Sequence, residues 1–327
     1  MNDLTSLVAR FPGHHLMVVG DVVLDEYVIG TAQRMSREAP VPVLELAERR
    51  FIAGGAANPA ANLVRLGASA VQVAVTGDDA AGAHLRAALE SLGIATAGIA
   101  ICPGRPTTVK MRVLAQMGLR FPQQVARVDT IPRDPVPPFV TQSLASYIRQ
   151  HGPAHGALLI SDYHGGVLTP DVVQACLEQQ ARGVLVTVDA QGNLEQYRRV
   201  NLLKCNADDA RAYLRAPLAA DDDFAQAAQQ MRAQFAVEAL VITRGADGAT
   251  LATEGQVQRL PAPAVRDVYD TVGAGDTAIA VMTLARLCGA TWEDAVRAAN
   301  YASGIVIQHV GNYTPSLEEL QQAINAG

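Results

Sequence analysis

The stretch that decides the fold runs Ala157-Leu-Leu-Ile-Ser161, Asp162-Tyr-His-Gly-Gly166, Pro170-Asp-Val-Val-Gln-Ala-Cys-Leu-Glu-Gln-Gln180 and Val184-Leu-Val-Thr-Val188. The first and last pieces are short and almost wholly apolar, as strands buried on both faces are. Pro170 suits the first turn of a helix, so 170–180 reads as one. Each strand ends on a carboxylate, Asp162 or Asp189. Strand, polar turn, helix, strand is the unit of a parallel sheet with right-handed crossovers.

Working outward, the unit recurs. Strands are expected at 15–20, 71–77, 99–101, 202–204 and 240–243, with a hairpin at 250–252 and 257–260. Helices are expected at 79–92, 139–150, 222–235, 277–287, 292–309 and 316–324. In the 79–92 helix Leu85, Leu89 and Leu92 share one side. Asp21, Asp162, Asp189, Asn206 and Arg244 fall at strand carboxyl ends, which puts one crevice along the top of the sheet. The reading is a single α/β domain over 1–327, a doubly wound, mostly parallel sheet with helices on both faces. Two segments leave that pattern. Pro40 and Pro42 exclude helix and fit an extended edge strand. Residues 106–113 alternate as a two-faced strand, with 125–128 as hairpin partner. Together they predict a small β-sheet lid, built from excursions at about 27–50 and 102–129.

The chemistry centres on Asp270-Thr-Val-Gly-Ala-Gly-Asp-Thr277. Gly273, Ala274 and Gly275 are small enough for a turn to present bare amides, and a helical run follows at once. A helix N-terminus favours an anion. Asp276 stands where that anion would land, which suits a base that deprotonates a hydroxyl attacking a phosphoryl group. The ordinary alternative is a helix cap. A second glycine pair, Gly54 and Gly55, is expected to open an Ala-rich helix that Gly67 closes, with Asn58 one turn inside and placed to hydrogen-bond a polyol; a plain helix start is the alternative. Asp25 reads as a ligand group or a solvated turn. Lys110 and Arg112, two residues apart on a strand, share a face and need either solvent or an anion.

Bulk properties narrow the class. The chain has 327 residues, 49% of them hydrophobic, and a net charge of −6. That acidity, without a Lys/Arg stripe, argues against nucleic-acid binding. The four cysteines, Cys102, Cys176, Cys205 and Cys288, form no Cys-x-x-Cys pair, so neither a zinc site nor a disulfide framework is signalled. The N-terminus lacks a signal-peptide core, and no apolar run reaches the ~18 residues of a membrane helix. A cytoplasmic protein is expected. No Gly-x-Gly-x-x-Gly follows the first strand, and no Walker loop or Gly-x-Ser-x-Gly elbow occurs. None of the seven histidines has ligand spacing.

Asp270-Thr-Val-Gly-Ala-Gly-Asp-Thr277, Gly54-Gly-Ala-Ala-Asn58 and Thr243-Arg-Gly-Ala-Asp-Gly248 together resemble the ribokinase-like carbohydrate kinases, also called phosphofructokinase-B type, over nearly the whole chain. Within that family the sequence is most similar to the bacterial heptose 7-phosphate kinases. That likeness rests on Gly20-Asp-Val-Val-Leu-Asp25, Arg34 with Ser36, Glu38-Ala-Pro-Val-Pro-Val43, Pro106-Thr-Thr-Val-Lys-Met-Arg-Val113, Arg127-Val-Asp129 and Ser161-Asp-Tyr163. The resemblance implies phosphoryl transfer from ATP, with Mg2+, to the anomeric hydroxyl of D-glycero-D-manno-heptose 7-phosphate. The product would be the 1,7-bisphosphate used in nucleotide-heptose synthesis for lipopolysaccharide core. Asp276 would be the base and Gly273, Ala274 and Gly275 the phosphoryl cradle. Asp25, Gly54, Gly55, Asn58 and Asp162 would hold the sugar, and Lys110 and Arg112 its 7-phosphate. Thr243, Arg244, Gly245, Gly248, Asn206, Asp209, Asn300 and Ser303 would serve the nucleotide, with Asp209 reaching magnesium through water. The lid would pair two protomers.

Some positions depart from the family pattern. Asn206-Ala-Asp-Asp209 stands for Asn-x-x-Glu, which shortens the carboxylate and makes Asp208 a rival to Asp209. Residue 37 is Arg where relatives often have Pro. Asp189-Ala-Gln191 replaces Asp-Pro-Lys, which removes a cation near the phosphates. The chain stops at Gly327, so a separate nucleotidyltransferase is expected downstream. Two other readings stay open: a kinase for another sugar, such as fructose 1-phosphate or ribose, and a nucleotide- or sugar-phosphate-binding protein without turnover.

Overall fold

The structure is a computed structural model that describes residues 3–116, 122–265 and 267–326. Positions 117–121 of the expected lid lie outside the described residues. The strands are β1 (His15–Gly20), β2 (Val22–Met35), β3 (Pro42–Gly55), β4 (Ser69–Gly77), β5 (Ala95–Cys102), β6 (Val109–Gln116), β7 (Gln123–Thr130), β8 (Ala157–Asp162), β9 (Leu185–Ala190), β10 (Leu202–Asn206), β11 (Ala239–Thr243), β12 (Ala249–Thr253) and β13 (Gln256–Leu260). The helices are α1 (Leu4–Val8), α2 (Ala57–Arg65), α3 (Ala80–Ser91), α4 (Pro138–His151), α5 (Pro170–Gln180), α6 (Ala207–Leu214), α7 (Asp221–Phe235), α8 (Ala274–Leu287), α9 (Trp292–Val306) and α10 (Leu317–Ala326).

Nine strands form the main sheet in the order β13-β12-β11-β10-β9-β8-β1-β4-β5. From β11 to β5 every pairing is parallel; β12 and β13 add an antiparallel hairpin at one edge. This is the doubly wound α/β architecture expected of the apolar strands. Strand β1 shows how both faces are filled. Leu16 and Val18 join the core beneath α2, α8 and α9, while Met17 and Val19 join the core beneath α4, α5 and α7. Side chains alternate across a strand, so a run with no polar position supplies two cores at once.

A second sheet, β3-β2-β6-β7, stands apart. Strand β2 pairs antiparallel with β3 and parallel with β6, and β7 closes an antiparallel pair with β6. Pro42 begins β3, at one edge, where a missing amide costs nothing. Strand β7, at the other edge, is exposed along its whole length.

Several boundaries differ from expectation. Helices α6, directly after Asn206, and α1 are not among those the sequence pattern predicts. Leu92 ends outside α3 and is 43% exposed, while Leu85 and Leu89 are buried. Gly54 and Gly55 end β3 instead of opening a helix; α2 begins at Ala57.

Candidate active site

Helix α8 begins at Ala274, three residues before the expected start, because Gly273 takes φ +82° and turns the chain into the helix. A Cβ there would lie 2.8 Å from Asn58 Nδ2, so glycine is needed for space as well. Asp276 thus falls in the first helical turn, and the amides of Gly275 and Asp276 find no backbone acceptor among the described residues. Unspent amides and the helix dipole together favour negative charge at this point.

The Asp276 carboxylate is buried between two donors. Asn58 Nδ2 donates to Oδ2 at 2.8 Å, and Tyr163 OH donates to Oδ1 at 2.6 Å. Burial, and then the like charge of Asp189, raise its pKa to about 6 against the opposing pull of Tyr163, Asn58 and Lys204. Asn58 therefore faces the carboxylate. Its placement follows from α2 packing on α8, where Asn62 also accepts from Thr277 Oγ1 at 2.8 Å.

Lys204, only 3% exposed, holds Asp189 at 2.7 Å. A Cβ on Gly275 would lie 3.3 Å from its Nζ. A cation thus does stand beside Asp189, from the next strand, β10. A lysine inside the otherwise apolar Leu202-Leu-Lys-Cys run was the available signal, since a buried lysine is almost always paired.

A cavity of about 650 Å³ opens against this corner, lined by Tyr163, Asp189, Lys204, Asn206, Thr243, Arg244 and Gly245 together with Gly273, Gly275 and Asp276. Asp208 also lines it, paired with Arg211 at 2.8 Å. Arg244 is packed flat: its guanidinium lies 4.2 Å from the Phe224 ring centroid and Nη2 contacts Asp221 at 2.8 Å. Its buried Nε and Nη1 have no acceptor among the described residues. Asn206 and Asp209 make a capping box for α6. Asn206 Oδ1 accepts from the Asp209 amide at 2.8 Å, and Asp209 Oδ2 accepts from the Asn206 amide at 3.3 Å.

Other expected ligands sit elsewhere. Asn300 Nδ2 donates to the carbonyls of Leu260 and Pro261, and Ser303 Oγ to that of Ala274. These donors are engaged by main chain, and neither residue lines the cavity. Gly248 has φ +81°, and a Cβ there would collide with the Leu260 carbonyl at 2.2 Å, so it serves the β12–β13 edge. Gly55, φ +61°, likewise makes room for the Asp21 carbonyl. Asp162 is saturated by protein donors: Tyr197 OH at 2.6 Å, Gln196 Nε2 at 3.2 Å and the His164 amide at 3.0 Å.

Asp25 lies within β2, not in a turn, and its side chain fills the space that Gly54 leaves open. Arg112 Nη1 donates to Asp25 Oδ1, and the guanidinium lies 5.3 Å from the Tyr27 ring centroid. Lys110 and Arg112 do share a face. In register, Asp25, Lys110 and Asp129 form one cross-strand row, and Tyr27, Arg112 and Arg127 the next. Lys110 has no ion-pair partner among the described residues, whereas Arg112 is already engaged. Tyr163, in Ser161-Asp-Tyr163, carries no local signal of a role; its contact with Asp276 arises only in the fold.

A sequence profile described as "pfkB family carbohydrate kinase" matches residues 14–320. "Bifunctional protein HldE" of Geobacter metallireducens is 36% identical over 321 residues, which are 97% of this chain and 64% of the relative. The protein of the same name from Paramagnetospirillum magneticum is 35% identical over 331 residues, 99% of this chain and 67% of the relative. The chain spans about two thirds of the length of these relatives. Phosphofructokinase-2 from Escherichia coli, solved with potassium, superposes with a TM-score of 0.77 at 21% identity, covering 96% of this chain and 98% of that one. Arabidopsis thaliana ribokinase, solved with ribose and ATP, gives 0.72 at 20% identity, covering 95% and 98%. At these identities the structural likeness is one of fold.

Proposed function

The chain belongs to the pfkB family of carbohydrate kinases and is a sugar kinase, and from that premise we propose that it transfers the terminal phosphoryl group of ATP to the anomeric hydroxyl of D-glycero-D-manno-heptose 7-phosphate. The observation that carries this reading is Asp276, buried at a helix N-terminus, raised to a pKa of about 6 and open to the cavity. A base near neutrality takes the hydroxyl proton efficiently. O1 then bonds to the terminal phosphorus, the bond from that phosphorus to the bridging oxygen breaks, and ADP leaves with that oxygen. The amides at Gly275 and Asp276, with Lys204 beside them, face the charge on the migrating group.

The nucleotide would occupy the cavity along Asn206, Thr243, Arg244 and Gly245. ATP as donor is supported by the ribose- and ATP-bound ribokinase of the same fold. Magnesium keeps most of its water and takes few protein ligands. The donor set fits that habit: Asp209 keeps Oδ1 clear of the capping box and would hold a magnesium-bound water. When bound, the ion neutralises phosphate charge.

The sugar would lie between Asp276 and the lid, with its hydroxyls toward Asp25 and Asn58 and its phosphate toward Lys110 and Arg112. A homodimer through the lid is supported by Leu46, Val125 and Val128, exposed on a sheet whose edges are open. Nucleotidyl transfer to the bisphosphate is assigned to another catalytic unit. Among the described residues no helix is long and apolar enough to cross a membrane.

One observation favours a second reading. Arg112 is spent on Asp25, which leaves Lys110 alone for a phosphate and suits a neutral sugar such as ribose. Phosphorus NMR of reactions with ATP and either heptose 7-phosphate, fructose 1-phosphate or ribose decides between them. A product with a new anomeric phosphate beside the original one is expected from the heptose. Turnover of ribose with none of the heptose phosphate would overturn the assignment.

A further inference from the structure

Asp276 is held in place by a residue from a different part of the chain. The loop after β8 carries Tyr163, and that loop is bolted down on both sides. Asp21 Oδ1 accepts from the Val167 amide at 3.0 Å and Oδ2 from the Tyr163 amide at 3.1 Å, while Asp162 takes the His164 amide. His164 sits at φ +59°, a left-handed turn that this bracing sustains. The phenol is thereby aimed at Asp276 Oδ1 and stands in the cavity wall.

We propose that Tyr163 is a positioning residue for phosphoryl transfer: its phenol fixes the Asp276 carboxylate toward the acceptor hydroxyl and keeps it ionised near neutral pH. The proposal rests on Asp276 being the base.

The geometry leaves room for this role. A carboxylate offers about four lone-pair directions, and Tyr163 and Asn58 take one on each oxygen, so an acceptor hydroxyl can still donate to Oδ1 or Oδ2. The charged and titratable groups around the carboxylate come from every neighbouring element. Asn58 faces it from α2, Tyr163 from the loop after β8, Asp189 from β9 and Lys204 from β10. Burial and Asp189 push Asp276 toward the protonated form, while Tyr163, Asn58 and Lys204 pull it back. Burial, with Asp276 next, pushes the phenol well above its ordinary range, so Tyr163 remains a donor wherever the enzyme works.

The test compares pH profiles of kcat/KM, with the sugar phosphate that the parent turns over, for the parent, Tyr163→Phe and Asp276→Asn. Tyr163→Phe removes a hydrogen bond to the charged form, so the acidic limb moves up by about one pH unit. Activity then falls roughly fivefold at about pH 6 and stays within about threefold of the parent at about pH 9. A second variant carries a ring-fluorinated tyrosine at position 163. It is a stronger donor of nearly the same shape, and the limb moves the opposite way. Its fluorine NMR signal in the ligand-free protein should titrate with a midpoint near 6, the value expected for Asp276, and stop doing so when Asp276→Asn is added. If Asp276→Asn abolishes turnover but the tyrosine variants leave the limb in place, or lower activity equally at all pH, Tyr163 has no such role and the base stands. If Asp276→Asn turns over like the parent, the base assignment fails, and the role of Tyr163 fails with it.

Discussion

Two buried acidic corners stand at the carboxyl ends of the same parallel sheet. After β1 and β8, each oxygen of Asp21 and Asp162 receives a donor from the protein: the amides of Tyr163, His164 and Val167, Tyr197 OH and Gln196 Nε2. At the start of α8, Asp276 is also buried and takes one donor on each oxygen, but it has a like charge at Asp189 and a cavity against it. Burial is common to both. What separates them is where the remaining lone pairs point. The saturated corner spends its charge on a loop; the unsaturated one keeps capacity for an incoming hydroxyl. Asp25 lies between these limits, with one oxygen held by Arg112 and the other facing the gap at Gly54.

The largest expected effect comes from the unsaturated corner. Asp276→Asn should lower kcat about 10²–10⁴-fold, measured by ADP release. It should not destabilise the fold at alkaline pH. The native carboxylate has a pKa raised to about 6 from 3.8, so the folded state binds more protons than the unfolded state between those values. Parent stability therefore falls as pH rises through that window, by roughly 3 kcal/mol in all. The asparagine variant lacks this loss, and its Tm relative to the parent should climb between about pH 4 and pH 8. A flat difference would mean that Asp276 is solvated like an ordinary carboxylate.

Next is Lys204→Met, which keeps volume and deletes charge. Asp189, half-buried, is left unpaired beside Gly275, at a stability cost of about 1–3 kcal/mol. Adding Asp189→Asn should recover most of that stability, read by urea melts, without recovering turnover. If the double variant is fully active, the cation serves only its partner.

Arg112→Ala probes the intermediate case. Loss of a charge-assisted bond to a sugar phosphate should raise KM roughly tenfold. KM for a neutral sugar should move less. Equal shifts for both sugars would assign Arg112 wholly to Asp25.

Much of this was legible in the sequence. Apolar strands such as Leu16 to Val19 and the Pro-bearing edge strand gave the two sheets, because burial on two faces and a missing amide leave direct marks. Gly273 and Asp276 were legible because a glycine turn before a helix has a local signature. The helix start was misplaced by three residues, since Ala274 and Gly275 carry no signal that they are already helical. Asn206 and Asp209 read as ligands, but Asn-x-x-Asp before a helix is also a capping box, and the helix itself was missed. Asp162 and Asp276 looked alike, both being carboxylates in Gly-bearing loops at the sheet's crevice end. Only long-range contacts, to Tyr197 and Gln196 for one and to Asn58 and Tyr163 for the other, tell them apart. Lys204 and Tyr163 reach the site from strands far apart in sequence, and spacing within a motif cannot encode that.

The smallest effect on turnover is expected from Asp162→Ala, the saturated counterpart of Asp276. The substitution strands the buried Tyr197 hydroxyl and releases the His164 amide. Leaving a buried donor unpaired costs about 1–3 kcal/mol, which appears as a lower Tm. Asp21 still holds the amides of Tyr163 and Val167, so the phenol stays near Asp276 and kcat should change by no more than about threefold, since a loss of 1 kcal/mol in positioning is worth about fivefold. The acidic limb of the pH profile should not move, because no donor to Asp276 has been removed. A large fall in kcat with an unchanged Tm would break the distinction between the corners, placing Asp162 among the sugar ligands after all.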